Sequence, residues 1–360
     1  MKKFGFIERL KKRNLEHHFV AEINRKYKKL KVKRSLSSEQ QSEVQQYYQH
    51  LVGRKVPLAW HRFMYSRTGL WAHDYVPLSL YRTEMIGRMN VFPFMDAYAD
   101  KNVSEMLFPD VLQPKCIVKN MRGYFYVGDK PVSREEALAI CQNINDAIIK
   151  PSMSTRGHGV KHLVVKDGKT NIDGKSIGQV LADYRQDYVI QQKIRQHPGM
   201  AALNPTSANT IRLLTYRSGM EVLLLYTVIR IGKKDQVIDN ESSGGISARI
   251  NDDGTLAKYA YGAPGNDQVE YTDCGVRLEG YPIPSFDKVV ATAQRLHMRL
   301  PYFDLAAWDF SVSEDGEPIF IEWNANPDLS QTANGPAFGP YAERIFAEVY
   351  KKENTRNQYW

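Results

Sequence analysis

The stretch that decides the fold lies near the C-terminus and reads Leu305-Ala-Ala-Trp-Asp-Phe-Ser-Val312, Ser313-Glu-Asp-Gly-Glu-Pro318 and Ile319-Phe-Ile-Glu-Trp-Asn-Ala-Asn-Pro327. Two apolar runs flank Asp315-Gly316, and an Asp-Gly pair between such runs predicts a β-hairpin. With Asp315-Gly316 at the centre of the turn, Asp309 lies directly opposite Glu322. Asn324 points to the same face as Glu322, because side chains alternate along a strand. Two carboxylates that face each other repel, so positive charge should lie beside them.

The oxygen atoms on this hairpin are the kind of ligand that a hard divalent cation takes. Mg²⁺ is typically held by one or two carboxylates together with substrate phosphates. For this stretch alone, the alternative is a pair of surface carboxylates on a solvated sheet face. The sequence therefore predicts a metal platform formed by Asp309, Glu322 and Asn324.

Composition and length place the chain among soluble globular proteins. Its 360 residues are enough for two or three packed units, and its 25% of charged residues is ordinary for that class. No apolar run approaches the ~20 residues that span a bilayer, and the N-terminus lacks the pattern of a secretory signal. Three unevenly spread cysteines indicate a reducing compartment, so we expect a cytoplasmic protein.

The basic charge of the chain is concentrated at its beginning. Residues 1–34 contain 13 Lys/Arg and 3 Glu, a net charge of +10, whereas the rest of the chain sums to −1. Apolar side chains recur there at three- or four-residue steps, which predicts an amphipathic helix with a basic face; they are Leu15, Phe19, Ile23, Tyr27 and Leu30. Such a helix either docks on the body of the protein or lies on an anionic membrane surface. Nucleic-acid binding is not expected, because no recognisable nucleic-acid-binding motif accompanies the basic charge.

Several further elements can be predicted from caps, turns and periodicity. Ser residues that precede good helix formers predict helices within residues 35–52 and 133–146, the second with a Ser-x-x-Glu capping box. Residues 115–128 read as a hairpin that turns at Arg122-Gly123. Helices are also expected at 177–186 and 286–298.

A second informative stretch is Ile148-Ile-Lys-Pro-Ser-Met-Ser-Thr-Arg-Gly-His-Gly-Val160. A β-branched strand places Lys150 at its end, and Pro151 ends the ladder because it has no N–H. The loop over residues 152–159 is built of small residues, whose backbone amides can approach phosphate oxygens closely. A plain hairpin loop would explain the glycines but not a lysine on the strand end that faces them.

Two later strands each place one arginine among apolar residues. They are Asn209-Thr-Ile-Arg-Leu-Leu-Thr215 and Val222-Leu-Leu-Leu-Tyr-Thr-Val-Ile-Arg-Ile-Gly232. An unpaired arginine is costly to bury, so Arg212 and Arg230 should face either a bound anion or a carboxylate in an internal ion pair. The polar loop Asp239-Asn240-Glu-Ser-Ser-Gly-Gly245 follows, and its glycines would allow a ligand to approach backbone amides.

The order of these pieces resembles the ATP-grasp superfamily. The residues that form these motifs are most similar to those of the sugar-transfer-associated ATP-grasp family. Its members are thought to act in bacterial surface-polysaccharide synthesis. The motifs that carry the resemblance span residues 100–327: Asp100-Lys101, Lys150-Pro151 with its glycine flap, the strand from Tyr188, Asn209-Thr-Ile-Arg212, Asp239-Asn240 with Gly244-Gly245, Trp308-Asp309, and Glu322-Trp-Asn-Ala-Asn-Pro-Asp328.

The resemblance implies an α+β protein with the ATP-grasp fold, in which two α+β subdomains clasp ATP, preceded by a helical basic N-terminal extension. Four regions follow from it. They are a basic helical segment (1–52), a reduced region before the ATP-grasp domain (53–114), a lid subdomain (115–187) and a C-terminal subdomain with the metal and substrate site (188–354).

The resemblance also implies a role for each candidate site residue. ATP would be held at its phosphates and at its nucleoside by Lys101, Lys150, Ser154, Gly157, Gly159, Gln191, Gln192, Lys193 and Ile194. Two Mg²⁺ ions would be held by Asp309, Glu322 and Asn324, and the catalytic residues would be Arg212, Arg230 and Asn240. The chain departs from the family pattern at the hinge strand, where Gln191-Gln192-Lys193 stands in place of an acidic residue that often holds the ribose.

The chemistry implied is ATP-dependent ligation of a carboxylate to an amine through an acyl phosphate. The substrates would be small molecules, with a uronic-acid sugar or an amino acid as the candidate acid. A sugar or small-molecule kinase would use the same ATP site with a hydroxyl nucleophile. A non-catalytic nucleotide-binding partner of a glycosyltransferase complex is the third alternative. The basic residues 1–34 add an expected contact with the inner face of the membrane.

Overall fold

Two six-stranded antiparallel sheets organise the chain. The computed structural model describes residues 2–154, 157–236, 244–263 and 268–352, except for the side chains of residues 2–9 and Thr332. The strands in chain order are β1 (Cys116–Met121), β2 (Tyr124–Val127), β3 (Lys130–Val132), β4 (Ala147–Pro151), β5 (Lys161–Leu163), β6 (Val165–Lys166), β7 (Lys169–Thr170), β8 (Tyr188–Gln192), β9 (Thr210–Ser218), β10 (Glu221–Ile231), β11 (Ile246–Ile250), β12 (Leu256–Tyr261), β13 (Leu305–Val312) and β14 (Pro318–Asn324).

Helices pack against both sheets and form most of the N-terminal region. They are α1 (Lys2–Lys28), α2 (Ser38–Val52), α3 (Ala59–Thr68), α4 (Leu78–Leu80), α5 (Ile86–Met89), α6 (Met95–Ala99), α7 (Ser104–Leu107), α8 (Arg134–Cys141), α9 (Ile177–Tyr184), α10 (Pro198–Ala201), α11 (Phe286–His297), α12 (Gln331–Asn334) and α13 (Ala342–Val349). A π-helix spans Tyr81–Met85, and short 3-10 helices span Phe92–Phe94, Lys101–Val103 and Gly339–Tyr341. None of these helices combines the length and hydropathy that a bilayer-spanning helix needs.

The first sheet, which we call the lid sheet, has the strand order β3-β2-β1-β8-β4-β5. One face packs on α8 and α9. Both helices begin with a capping box formed by a serine, which confirms the capping box predicted for α8. Ile149 and Ile190 belong to that packed face, so Lys150 and Gln191, their neighbours along the chain, lie on the opposite face. Because β8 pairs with both β1 and β4, the chain leaves this sheet after Gln192, a little beyond the predicted boundary at 187.

The second sheet, which we call the metal sheet after the metal ligands predicted on its hairpin, has the order β12-β11-β10-β9-β13-β14. Leu213 and Trp308 are buried on one face together with α11. Leu214 and Ala307 are buried on the other face, beneath the N-terminal helices. Arg212 and Asp309 share this second face, because each lies two residues from one of the buried pair. The N-terminal helices, which we call the helical layer, therefore cover one half of this face. The charged residues occupy the other half, which the helices leave uncovered.

The N-terminal helices and the C-terminal helix α13 form one core. Ile23 of α1, Tyr48 of α2, Phe63 of α3 and Phe346 of α13 are all buried in the same apolar cluster. The predicted docking of the basic helix is thus observed, and Lys12 adds an ion pair of 2.9 Å to the buried Glu84. Residues of both predicted regions, 1–52 and 53–114, contribute to this core, but Phe108 is buried with Trp308 on the other face of the second sheet.

The C-terminal hairpin has the predicted facing pair, but a different turn. Asp309 lies opposite Glu322, as the sequence predicts. The prediction of a two-residue turn is wrong: the Ser313 amide donates to the Glu317 carbonyl (2.9 Å) around a three-residue loop with Gly316 at φ +81°. A β-bulge at Ile321 then moves the register back by one residue, so the two departures cancel before Asp309.

Candidate active site

A row of charges crosses the metal sheet. Arg212, Asp309 and Glu322 are consecutive partners on β9, β13 and β14, so their side chains project to one face. The Arg212 guanidinium forms a fork on the buried Asp309 carboxylate, with Nε 2.7 Å from Oδ1 and Nη2 2.6 Å from Oδ2. Arg230 Nη1 lies 3.5 Å from the same Oδ2. Of the two alternatives that the sequence leaves open for these arginines, a bound anion or an internal ion pair, the structure shows the ion pair.

Glu322 is also held by a cation of the protein. The Lys101 ammonium lies 3.2 Å from Glu322 Oε2, and the Glu322 side chain stays 34% exposed. Burial would raise the pKa of Glu322, but the nearby cations Lys101, Lys150, Arg212 and Arg230 outweigh it and lower that pKa to about 2. The positive charge that a facing pair of carboxylates requires is therefore supplied by the protein itself.

Lys101 joins this sheet to the flap of the lid sheet. Besides Glu322, its ammonium donates to the backbone carbonyls of Ser152 (3.3 Å) and Ser154 (3.1 Å). The backbone amide of Lys101 also donates to the Ser152 carbonyl (3.3 Å). One lysine thus connects the base of the predicted phosphate loop with the predicted metal platform.

Lys150 projects from the end of β4 toward Lys101 and Glu322. We call the space between the two sheets at this point the cleft. It is 7% exposed, and within the described parts of the chain its ammonium has no hydrogen bond and no ion pair. Burial lowers the pKa of Lys150 to about 8, against the raising effect of Glu322. Because its charge is buried and not paired within the described residues, this ammonium would bind favourably to an anion that enters from solvent.

The flap depends on glycine at two positions with positive φ, Gly157 (+71°) and Gly159 (+74°). A Cβ on Gly159 would lie 2.8 Å from Cγ and 2.9 Å from Cδ of Pro151, which is closer than side chains pack. The flap therefore folds back tightly on the residue that follows Lys150. Thr155 and Arg156, between Ser154 and Gly157, lie outside the described residues.

The hinge after β8 presents backbone rather than acidic side chains. The amides of Gln192 and Lys193 donate to the carbonyls of Lys115 (2.9 Å) and Asp146 (3.2 Å). The amide of Ile194 has no acceptor among the residues that the structure describes. The Gln191 side chain is buried on the cleft face of the lid sheet.

The cleft carries an excess of positive charge. Four cations, Lys101, Lys150, Arg212 and Arg230, surround two carboxylates, Asp309 and Glu322, which leaves a formal charge of +2. Such a surplus at partly buried positions favours a polyanionic ligand.

The donor set fits Mg²⁺ only with help from a ligand. In the described ranges, no group of three His, Cys, Asp or Glu side chains could hold a metal ion. Glu322 bonds to Lys101 through Oε2, and the Asn324 carbonyl oxygen accepts one bond from the Asn326 amide (2.8 Å) and keeps a second lone pair. Both Asp309 oxygens already accept bonds from arginine. Two carboxylates and one amide suit Mg²⁺ when phosphate oxygens complete the shell.

One predicted catalytic residue cannot be placed, and two residues beside the site were not predicted. Asn240 lies outside the described residues, although Gly245 at the end of its loop is buried. Lys119 of β1 pairs across β8 with the same residue as Lys150, so it faces the cleft, where it contacts Glu105 at 2.5 Å. A lysine among apolar strand residues is the signal that identified Lys150, and it also applied to Lys119. The second is Arg82, which donates to Asn326 in the loop after Asn324 and carried no such signal.

The chain was compared with curated proteins, solved structures and protein families. No curated protein matched the sequence. Among solved structures, the D-alanine–D-alanine ligase of Bacillus anthracis aligns with a TM-score of 0.40 and 16% identity, over 71% of this chain and 67% of that one. The VanG D-Ala:D-Ser ligase of Enterococcus faecalis aligns with a TM-score of 0.42 and 12% identity, over 70% and 61%. The chain thus spans about two thirds of the first structure and three fifths of the second.

The family comparison covers most of the chain. Residues 81–346 match the family described as sugar-transfer associated ATP-grasp. The matched range includes both sheets, the flap, the hinge and the charged hairpin, and the α+β architecture with two antiparallel sheets agrees with it. The chain therefore belongs to the sugar-transfer associated ATP-grasp family and has the ATP-grasp fold.

Proposed function

We propose that this protein is an ATP- and Mg²⁺-dependent ligase that joins a carboxylate to an amine through an acyl phosphate. Family membership supports the use of ATP. The acid would be a uronic-acid sugar or an amino acid, in the synthesis of a bacterial surface polysaccharide. The +2 charge of the cleft supports a triphosphate as one ligand.

The state of the two carboxylates is the observation that favours a ligase over a kinase. A kinase needs a base near the hydroxyl that attacks the phosphate. Both oxygens of Asp309 already accept bonds from arginine, and the surrounding cations lower the pKa of Glu322 to about 2, so neither carboxylate is placed to take a proton from a hydroxyl. The carboxylate of an acid substrate is already ionised at neutral pH and attacks without a base.

Each residue of the cleft has a defined part in this proposal. Lys101 and Lys150 bind the phosphates, and the free amide of Ile194 is offered to the adenine edge. Mg²⁺, held by Glu322, Asn324 and Asp309, would neutralise charge on the phosphates. Arg212, fixed in its fork by Asp309, faces the transferring phosphoryl group and stabilises its charge without reorganisation. Arg230 beside it offers its guanidinium to the acid substrate.

The experiment that tests the proposal traps the acyl phosphate. The protein is incubated with ATP, Mg²⁺ and hydroxylamine over a panel of amino acids and uronic acids. A ligase forms a hydroxamate and releases ADP and phosphate in equal amounts. A phosphorylated sugar without free phosphate would replace the ligase with a kinase. Nucleotide binding without turnover of any panel member would favour a non-catalytic partner.

The exposed face of α1 supports a second part of the proposal, contact with an anionic membrane. Ile23 and Leu30 face the core, whereas the basic residues on the other side are exposed to solvent; they include Lys11, Arg13, Arg25, Lys28 and Lys29. Each basic residue near an anionic surface contributes about 1 kcal/mol. Binding of the full chain to phosphatidylserine vesicles should therefore fall steeply with salt.

A charge variant tests this contact better than a deletion, because α1 also contributes to the core. The variant carrying Lys11→Ser, Arg13→Ser, Arg25→Ser and Lys28→Ser should lose vesicle binding and keep its melting temperature. The matched control replaces exposed lysines of the lid, Lys166→Ser and Lys169→Ser. Equal vesicle binding by the α1 variant and the wild type would remove the membrane from the proposal.

A further inference from the structure

The loop that follows Glu322-Trp-Asn324 is held by the N-terminal helical layer. The Arg82 guanidinium donates to both the backbone oxygen (3.4 Å) and the side-chain oxygen of Asn326, and it pairs with the Asp328 carboxylate. The neighbouring Tyr81 hydroxyl donates to the Pro327 carbonyl (2.8 Å), and the Arg82 guanidinium lies 5.2 Å from the centre of the Tyr81 ring. Two adjacent residues thus hold three consecutive residues of this loop.

These contacts reach Asn324 through one further bond. The backbone amide of Asn326 donates to the side-chain oxygen of Asn324 at 2.8 Å, in the manner of an Asx turn. Arg82 fixes both oxygens of Asn326, so it also fixes the amide that orients the Asn324 side chain. The Arg82 side chain is only 13% exposed, which limits the alternative conformations that it can adopt.

The backbone around Arg82 is unusual. Tyr81–Met85 form a five-residue π-helix between α4 and α5. π-Helical turns are rare and are frequent at functional sites. Within this one turn, Tyr81 and Arg82 contact the loop after Asn324, while Glu84 contacts Arg54 (2.6 Å) and Lys12 of α1.

We propose that Arg82 is a positioning residue for the metal-binding end of the site. It acts through Asn326 to hold the Asn324 amide oxygen in the direction that a Mg²⁺–nucleotide complex requires. This inference rests on the proposed function, because it assumes that Asn324 faces Mg²⁺ in the nucleotide complex. Groups that orient a metal ligand typically change metal affinity by about 10–100-fold when they are removed.

The test measures ADP affinity by calorimetry with and without Mg²⁺. In the wild type, Mg²⁺ should strengthen ADP binding. Arg82→Gln should leave affinity in EDTA unchanged and reduce the Mg²⁺-dependent gain by about tenfold. Asn326→Ala should do the same, and the double variant should lose no more than either single variant, because both act on one path. Arg82→Lys should recover little, since lysine lacks the planar fork.

The matched control is Arg62→Gln. Arg62 also lies in the helical layer and donates to an asparagine side chain (Asn24 Oδ1, 2.8 Å), but it contacts α1 rather than the site. Its Mg²⁺-dependent gain should equal that of the wild type at a comparable melting temperature. An unchanged gain in both Arg82→Gln and Asn326→Ala would overturn the positioning role alone. Absence of ADP binding by the wild type would overturn the proposed function itself.

Discussion

At the scale of single residues, the cleft is defined by how its charges are compensated. Arg212 and Asp309 neutralise each other in a buried fork, and Lys101 pairs with Glu322. Lys150 remains a buried ammonium without such a partner in the described structure, and burial lowers its pKa from 10.5 to about 8. The titration of this lysine therefore falls within a range that experiments can reach.

Nucleotide affinity should depend on pH through Lys150. Phosphate favours the charged form, so binding at pH 8.5 should take up a proton, and ADP affinity should fall as pH rises from 7.5 to 9.5. Calorimetry in two buffers of different ionisation enthalpy measures the proton uptake. Lys150→Arg keeps its charge and should remove the dependence. An identical pH profile in wild type and variant would exclude Lys150 from the phosphate site.

The same pKa shift should act on stability in the opposite direction. Between pH 8 and 10.5 the unfolded chain binds a proton at Lys150 that the ligand-free native state has released. The free energy of unfolding therefore gains a contribution from this group as pH rises through that range. Comparing wild type with Lys150→Met in urea titrations at pH 7.5 and 9.5 isolates it. A variant whose stability changes in parallel with that of the wild type would contradict the shift.

Glu322→Gln should lower ATP turnover strongly and should not stabilise the protein by relieving repulsion between the two carboxylates. The two facing carboxylates alone would repel, but Glu322 has a lowered pKa and lies among four cations, so its charge is favourable. We expect turnover to fall by about 10²–10³, as when one transition-state charge partner is lost, and the melting temperature of the free protein to decrease. Glu314→Gln on the exposed turn of the same hairpin should change neither. A more stable Glu322→Gln protein would show that repulsion dominates.

At the scale of elements, the flap that we expect to bind phosphate lies against the end of β4. Its last glycine lies against Pro151, the residue that ends β4 directly after Lys150. A side chain at position 159 would therefore press on the strand end that carries Lys150.

Gly159→Ala should weaken nucleotide binding by more than its backbone strain explains. Any alanine at positive φ costs about 1–2 kcal/mol, and here its Cβ would also meet Pro151 at 2.8 Å. Gly168→Ala is the matched control, because Gly168 has φ +75° with no atom within 4 Å of the added Cβ. We expect both variants to lose stability, but only Gly159→Ala to lose ADP affinity, by about tenfold or more. Equal affinities would separate the flap from the site.

At the scale of the whole molecule, the N-terminal helices pack against the metal sheet beside the candidate site. They cover the half of the metal-sheet face that the site leaves free, and they hold the loop after Asn324 through Tyr81 and Arg82. Their core is shared with α13 near the other end of the chain. Stability and site geometry are therefore linked across most of the sequence.

Ile23→Ala should test this shared core. Ile23 is 2% exposed, so its truncation should lower the free energy of unfolding by about 2–5 kcal/mol. Val32→Ala, at a side chain that is 55% exposed, should change it by less than about 0.5 kcal/mol. Urea titrations measure both. The helical layer and the metal sheet should unfold in one transition, because they share this core; separate loss of the helical layer would contradict it.

The sequence by itself determined the elements whose signals are local. Capping boxes and an apolar period of three to four residues are enough to predict α2, α8 and the docked face of α1, because neighbouring residues satisfy those interactions. The assumed turn at Asp315-Gly316 also placed Asp309 opposite Glu322, but only because the longer loop and the bulge at Ile321 cancel. The order of the motifs led to the correct family, which depends on residue identity rather than on packing.

Only the tertiary structure decided which charges meet. Arg212 and Asp309 are separated by 97 residues, and Arg82 and Asn326 by 244, so no local pattern could pair them. The turn length and the compensating bulge at Ile321 were likewise hidden, because an Asp-Gly pair suits both two- and three-residue loops. The physical reason is the same in each case. Long-range pairing is fixed by the packing of whole sheets and helices, which the spacing of residues along the chain does not encode.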